Sequence, residues 1–141
     1  MSGIQEQTLA AMVASLAARM PGRTVQRSLP KDPAGLQVAD LVPGLVCIVA
    51  AGGGSFANWS GREGELGSMN VKVVAFLAVD EDTEPQAIEQ AENALLADLL
   101  AWCQDIKPEP LDDVVPGNYQ QSSQVEHPYG WLVLDLTVRN V

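Results

Sequence analysis

The stretch VKVVAFLAVD, residues 71–80, constrains the fold more than any other in the chain. Alternate residues of a strand point to opposite faces. One set here is Val71, Val73, Ala75, Leu77 and Val79, wholly apolar; the other is Lys72, Val74, Phe76 and Ala78, apolar apart from its first member. Such a strand asks for cover on both sides. The closing stretch WLVLDLTVR repeats the pattern, with Leu132, Leu134, Leu136 and Val138 on one face. Its other face carries Trp131 and Val133 before turning polar. GLVCIVA (44–50) is apolar on both faces and is entered through Pro43-Gly44, the mark of a central strand.

Two helices accompany these strands. Leu9, Met12, Val13, Leu16 and Met20 recur at helical spacing, and MPG at 20–22 ends that run. The second helix is expected over 84–106. Thr83 is its expected N-cap, Gln86 completes a capping box, and Ile88, Ala91, Leu95, Leu99, Trp102 and Ile106 form its apolar stripe. RTVQRSL has the β-branched content of a short strand, and residues 51–70, rich in glycine, read as a flexible loop or hairpin tip. Residues 107–117 read as a Pro- and Asp-rich connection, followed by the polar NYQQSSQVE. The order predicts one α/β (α+β) domain over residues 1–141, a four- to five-stranded mixed sheet packed with two main helices. The helices either share one face of the sheet or take one face each, and the pattern leaves both arrangements open. If they share a face, Val74, Phe76, Trp131 and Val133 lack cover, and an apolar patch of that kind marks a partner surface.

Composition narrows the function classes. The net charge of −10, with eight scattered basic residues, disfavours nucleic-acid binding, because phosphate affinity comes mainly from Lys and Arg. A 47% hydrophobic content belongs to a folded globule. No leader pattern or bilayer-length apolar run is read in the sequence, so the expectation is a protein made in the cytoplasm without a membrane partner. Cys47 and Cys103, in apolar surroundings, are expected as reduced thiols.

Candidate chemistry is thin. The loop AAGGGSFANWSGREG follows a strand, but it lacks the Lys-Ser/Thr of a phosphate loop, and another strand follows it. Ser55 and Ser60 lack nucleophile-elbow spacing, and one histidine with two distant cysteines is a poor metal set. His127 stands in HPYG, which fits a type I turn with the histidine first, its ring free to bond backbone or Glu126. That reading makes it a structural corner. No catalytic, cofactor-binding or metal-ligating residue is therefore assigned, and no cofactor is expected. Phe56 and Trp59, large aromatics on a glycine-rich loop, and Arg62 beside them are candidate protein contacts, together with Phe76 and Trp131 of the sheet.

The N-terminal helix, the LP linker, the apolar strand opening into a Gly/Ser loop, the valine-rich strand, the helix at 84–106 and finally SQVEHPYGWLVLDLTVR resemble, in that order, the tail terminator (minor tail) proteins of tailed bacteriophages and prophages. The most telling part is Glu126, His127, Pro128, Tyr129, Gly130 and Trp131 entering the last strand; the acidic connection at 107–117 does not align. The resemblance implies a non-enzymatic subunit forming a homo-oligomeric ring, a hexamer, on the finished tail tube. Such a ring stops tube polymerisation and prepares head joining. Its implied partners are its own copies, the tail tube protein and a head completion protein, in the host bacterial cytoplasm and then the virion tail. A related head–tail connector or tail completion subunit, and a small-molecule-binding domain or enzyme using the glycine loop, are the alternative readings.

Overall fold

A computed structural model describes residues 3–32, 35–42, 44–55, 67–108 and 111–140. The elements run α1 (Ile4–Arg19), β1 (Thr24–Gln26), α2 (Val38–Leu41), β2 (Leu45–Ser55), β3 (Ser68–Ala78), α3 (Gln86–Gln104), β4 (Leu111–Gln121) and β5 (Tyr129–Asn140). The fold is α+β, with five strands in the order β1-β2-β3-β5-β4. Among the described strands β1 and β2 are parallel neighbours and the remaining pairs are antiparallel. β3 and β4 thus run the same way with β5 inserted between them, and α3 makes the crossover that such a pair needs.

Both long helices lie on one face. Leu9, Met12 and Leu16 of α1 and Ile88, Leu95, Leu99 and Trp102 of α3 share a core with Val46, Ile48, Val71, Val73, Leu132, Leu134 and Leu136. Polar ties hold the two helices together: Trp102 Nε1 donates to Ser15 Oγ at 2.9 Å, and Arg19 pairs with Asp105 just past the end of α3 at 3.1 Å, while Arg23, between α1 and β1, pairs with Asp98 of α3 at 2.5 Å. On the opposite face, among the described residues, the four-residue α2 and Leu36 pack on Leu45, Cys47 and Ala78 at one end. This settles which of the two helix arrangements the chain adopts.

Several local expectations are corrected. Thr83 is not the N-cap of α3: Pro85 takes that position, while Thr83 Oγ1 donates to Asp80 O at 2.6 Å in the turn before the helix. With the Thr83 hydroxyl engaged in that turn, the helix starts two residues later than a threonine cap would set it. The helix ends at Gln104, and Ile106 leaves the stripe to stand 98% exposed. Lys107 turns back there, its Nζ donating to the carbonyls of Trp102 and Asp105 over the Trp102 ring, a cation closing a helix C-terminus.

Residues 111–117 are not a connection but the first part of β4, an edge strand. Pro116 and Gly117 sit in a register irregularity between Pro116 and Tyr119, and edge strands are where proline is tolerated. The glycine-rich segment contributes strand at both ends, Ala51–Ser55 and Ser68–Asn70, around an irregularity between Ala50 and Gly54. Gly52 there has φ +80°, which favours glycine.

Candidate interaction face and the corner beside it

The face opposite α1 and α3 is built from cross-strand rows. Leu45, Phe76 and Trp131 are successive register partners across β2, β3 and β5; Cys47, Val74, Val133 and Gln120 form the next row. Further along, Lys72 faces Asp135, their charges 3.5 Å apart. Val74, Phe76, Trp131 and Val133 are all half-buried. At the α2 end, Leu36, Leu41, Phe76, Tyr129 and Trp131 line a groove of about 370 Å3, with Glu126 at its rim. The Trp131 indole N–H points to Glu126 Oε1 at 3.4 Å. Of the candidate contact residues, the fold places Phe76 and Trp131 side by side. Phe56, Trp59 and Arg62 lie outside the described residues.

The groove ends at the corner between β4 and β5. Its turn is not the type I turn expected of HPYG. The His127–Pro128 peptide is cis, and Tyr129 N–H donates to Glu126 O at 2.8 Å, so the turn runs 126–129 with the proline third. Among the described residues the His127 ring bonds neither backbone nor Glu126; its Nε2 lies 3.1 Å from Thr83 Oγ1. The corner is stitched to the residue after β3 by Val79 N–H donating to Pro128 O and to α3 by Gln124 Nε2 donating to Glu89 at 2.7 Å.

The residue that organises this corner is one the sequence reading passed over. Glu92 of α3 is fully buried. Its carboxyl accepts from Ser122 Oγ at 2.5 Å, Ser123 N–H at 2.8 Å and Trp131 N–H at 3.1 Å. Burial pushes its carboxyl pKa up from the ordinary value, and these hydrogen bonds pull the other way without overcoming it. The magnitudes are comparable: burying an ion costs several kcal/mol, and each bond to a charged group returns about 1.5–3 kcal/mol. Its readable sign is position, since 92 falls between Ile88 and Leu95 on the buried stripe.

A second cavity, of about 330 Å3, opens between α1 and the glycine-rich arm of β2, lined by Gln5, Glu6, Leu9 and Gly52–Gly54 among others. No lysine or arginine lines it among the described residues, and its one carboxylate, Glu6, is 3.2 Å from Arg27. That is a poor setting for phosphate. Among the described residues no group of three His, Cys, Asp or Glu side chains is placed to hold a metal ion. Cys47 and Cys103 are free thiols, both with pKa pushed up, chiefly by burial. No described helix is long and apolar enough to cross a membrane.

No protein-family profile matches the chain, and no curated protein matches it. Among solved structures it is similar to a chain from a structure described as the virion of a native gene transfer agent (GTA) particle. The likeness covers 94% of this chain and 92% of that one, with TM-score 0.52 and 15% identity. At that identity the match shows a shared fold.

Proposed function

We propose that this chain is a non-enzymatic structural subunit of a phage-type virion, and within that class a tail terminator. As such it closes into a homo-oligomeric ring on the finished tail tube, ends tube polymerisation and leaves a surface for head joining. The observation that carries the reading is the likeness to a virion-particle chain along nearly the whole length of both. The sequence resemblance independently names a member of the same kind of particle. The half-exposed Phe76–Trp131 face supplies surface of the sort that assembly buries. Identical head-to-tail contacts close into a ring when the rotation per subunit divides a full turn. A chain with net charge −10 suits a passage through which DNA slides without sticking. The proposed partners are copies of the chain, the tail tube protein and a head completion protein, met in the host cytoplasm and kept in the virion tail.

Electron microscopy of particles assembled from a gene cluster lacking this chain tests the proposal. Over-long tubes are the expected result. Tails of normal length that fail to join heads would replace the terminator with a connector or completion subunit. Normal, complete particles would overturn the assembly reading.

A further inference from the structure

We propose that Glu92 is a proton-linked latch that fastens the 122–131 corner to α3 and, through the backbone of Gly130 and Trp131, sets the shape of the groove on the opposite face of the sheet. The inference stands apart from the virion reading, because it concerns how the chain holds its own corner.

Three observations support it. First, the latch spans the junction: one carboxyl binds Ser122 and Ser123 at the corner's start and the Trp131 amide at its end, so losing it loosens both ends from α3 together. Second, the fit is tight at Gly130. A Cβ there would lie 2.5 Å from Glu92 Oε2 and 2.6 Å from Ile88 Cγ1, so the corner backbone rests on these two side chains of α3. Third, Gly130 and Trp131 also line the groove with Phe76, Leu36 and Leu41. The amide of Trp131 is held by α3 on one side of the sheet while its indole forms groove wall on the other.

The proton enters because the carboxyl is buried with donors but no cation bonded to it among the described residues. The titratable side chains nearby are Glu89 on its own helix, bonded to Gln124, and Glu126 and His127 on the corner, engaged with Trp131 Nε1 and Thr83. None of these is bonded to Glu92. A neutral carboxyl keeps most of the cradle: one oxygen accepts from Ser123 while the other donates to Ser122 Oγ. The Trp131 amide then leans on Ser122 Oγ, already 3.2 Å away. The raised carboxyl pKa agrees in sign. A group bound more tightly as the acid in the folded state stabilises fully below its ordinary value. That contribution is lost as pH rises through the folded value.

Amide hydrogen exchange followed by NMR, corrected for the intrinsic pH dependence of exchange, reads the latch at Ser123 and Trp131. In the wild-type chain the protection of both amides should fall as pH rises. The fall is up to about tenfold per pH unit across the window where closed and open corner differ in proton binding. Glu92→Gln, which imitates the neutral acid, should remain folded and show protection independent of pH. His127→Gln should keep the wild-type pH dependence. A Glu92 side-chain carboxyl resonance that titrates at the ordinary glutamate value would overturn the proposal, as would pH-independent protection in the wild type. So would a His127→Gln variant that abolishes the dependence, since the proton would then belong to the histidine.

Discussion

Gly130 shows how a single missing methyl group can carry the geometry of a corner. Because Glu92 Oε2 and Ile88 Cγ1 stand 2.5 and 2.6 Å from where its Cβ would be, Gly130→Ala forces those buried side chains or the corner backbone to shift. Overpacking of this kind costs about 1–3 kcal/mol. Urea denaturation should show a loss in that range; a variant as stable as wild type would mean that the corner does not rest on α3. Lys107 is the second sensitive point. Lys107→Met removes the donor that serves the Trp102 and Asp105 carbonyls at the end of α3. Trp102 O still accepts from Asp105 N–H, so the loss should stay near the usual figure for a hydrogen bond to a charged group, about 1.5–3 kcal/mol, in the same experiment. Neither residue announces itself in a sequence. A glycine beside a tryptophan reads as a turn, and a lysine before proline reads as the end of a helix. Glu92 could have been found, since a carboxylate on an apolar stripe is either an error of phase or a buried acid with partners. Ile106 illustrates the opposite failure: it continues the stripe by spacing, but the helix has ended before it.

The elements were most readable where one rule acts alone. The central strands carry unbroken apolar runs, and the two long helices carry the 3.6-residue period, so their existence and type followed directly. β4 was not readable because it is an edge. Natural edges are blunted by proline, charge and bulges, and Asp112, Asp113, Pro116 and Gly117 are the residues that otherwise signal a loop. The same logic hid the outer part of the β2–β3 pair, where glycines and a register irregularity replace alternation. That Phe76 and Trp131 share a face was legible, because each stands on the less regular face of its own strand, and the register makes them direct partners. What alternation could not tell was which face the helices would choose. The two faces of β5 should therefore differ sharply in sensitivity. Leu134 is buried under the helices, and Leu134→Ala should cost about 2–5 kcal/mol; Val133, on the open face, should accept Thr within about 0.5 kcal/mol. Equal losses at the two positions would mean that the second face is covered within the subunit.

At the scale of the whole molecule, the apolar face and the net charge of −10 oppose each other in any assembly of identical copies. Burying Val74, Phe76, Trp131 and Val133 against a neighbour favours association and depends weakly on ionic strength. Like-charged copies repel, and salt screens that repulsion over a distance that shrinks from about 30 Å at 0.01 M to about 8 Å at 0.15 M. If the proposed ring is held by this face, light scattering should show larger assemblies as protein concentration rises and as salt is added. Phe76→Glu should remain folded, because the side chain is half-exposed, and should shift the chain towards monomer by placing a charge in the contact. Association that weakens with salt would instead point to ion pairing between copies, with the apolar face serving another partner. A wild-type chain that stays monomeric at high concentration and high salt would leave the face without a role in self-assembly. The ring would then have to form through another surface or only on the tail tube itself.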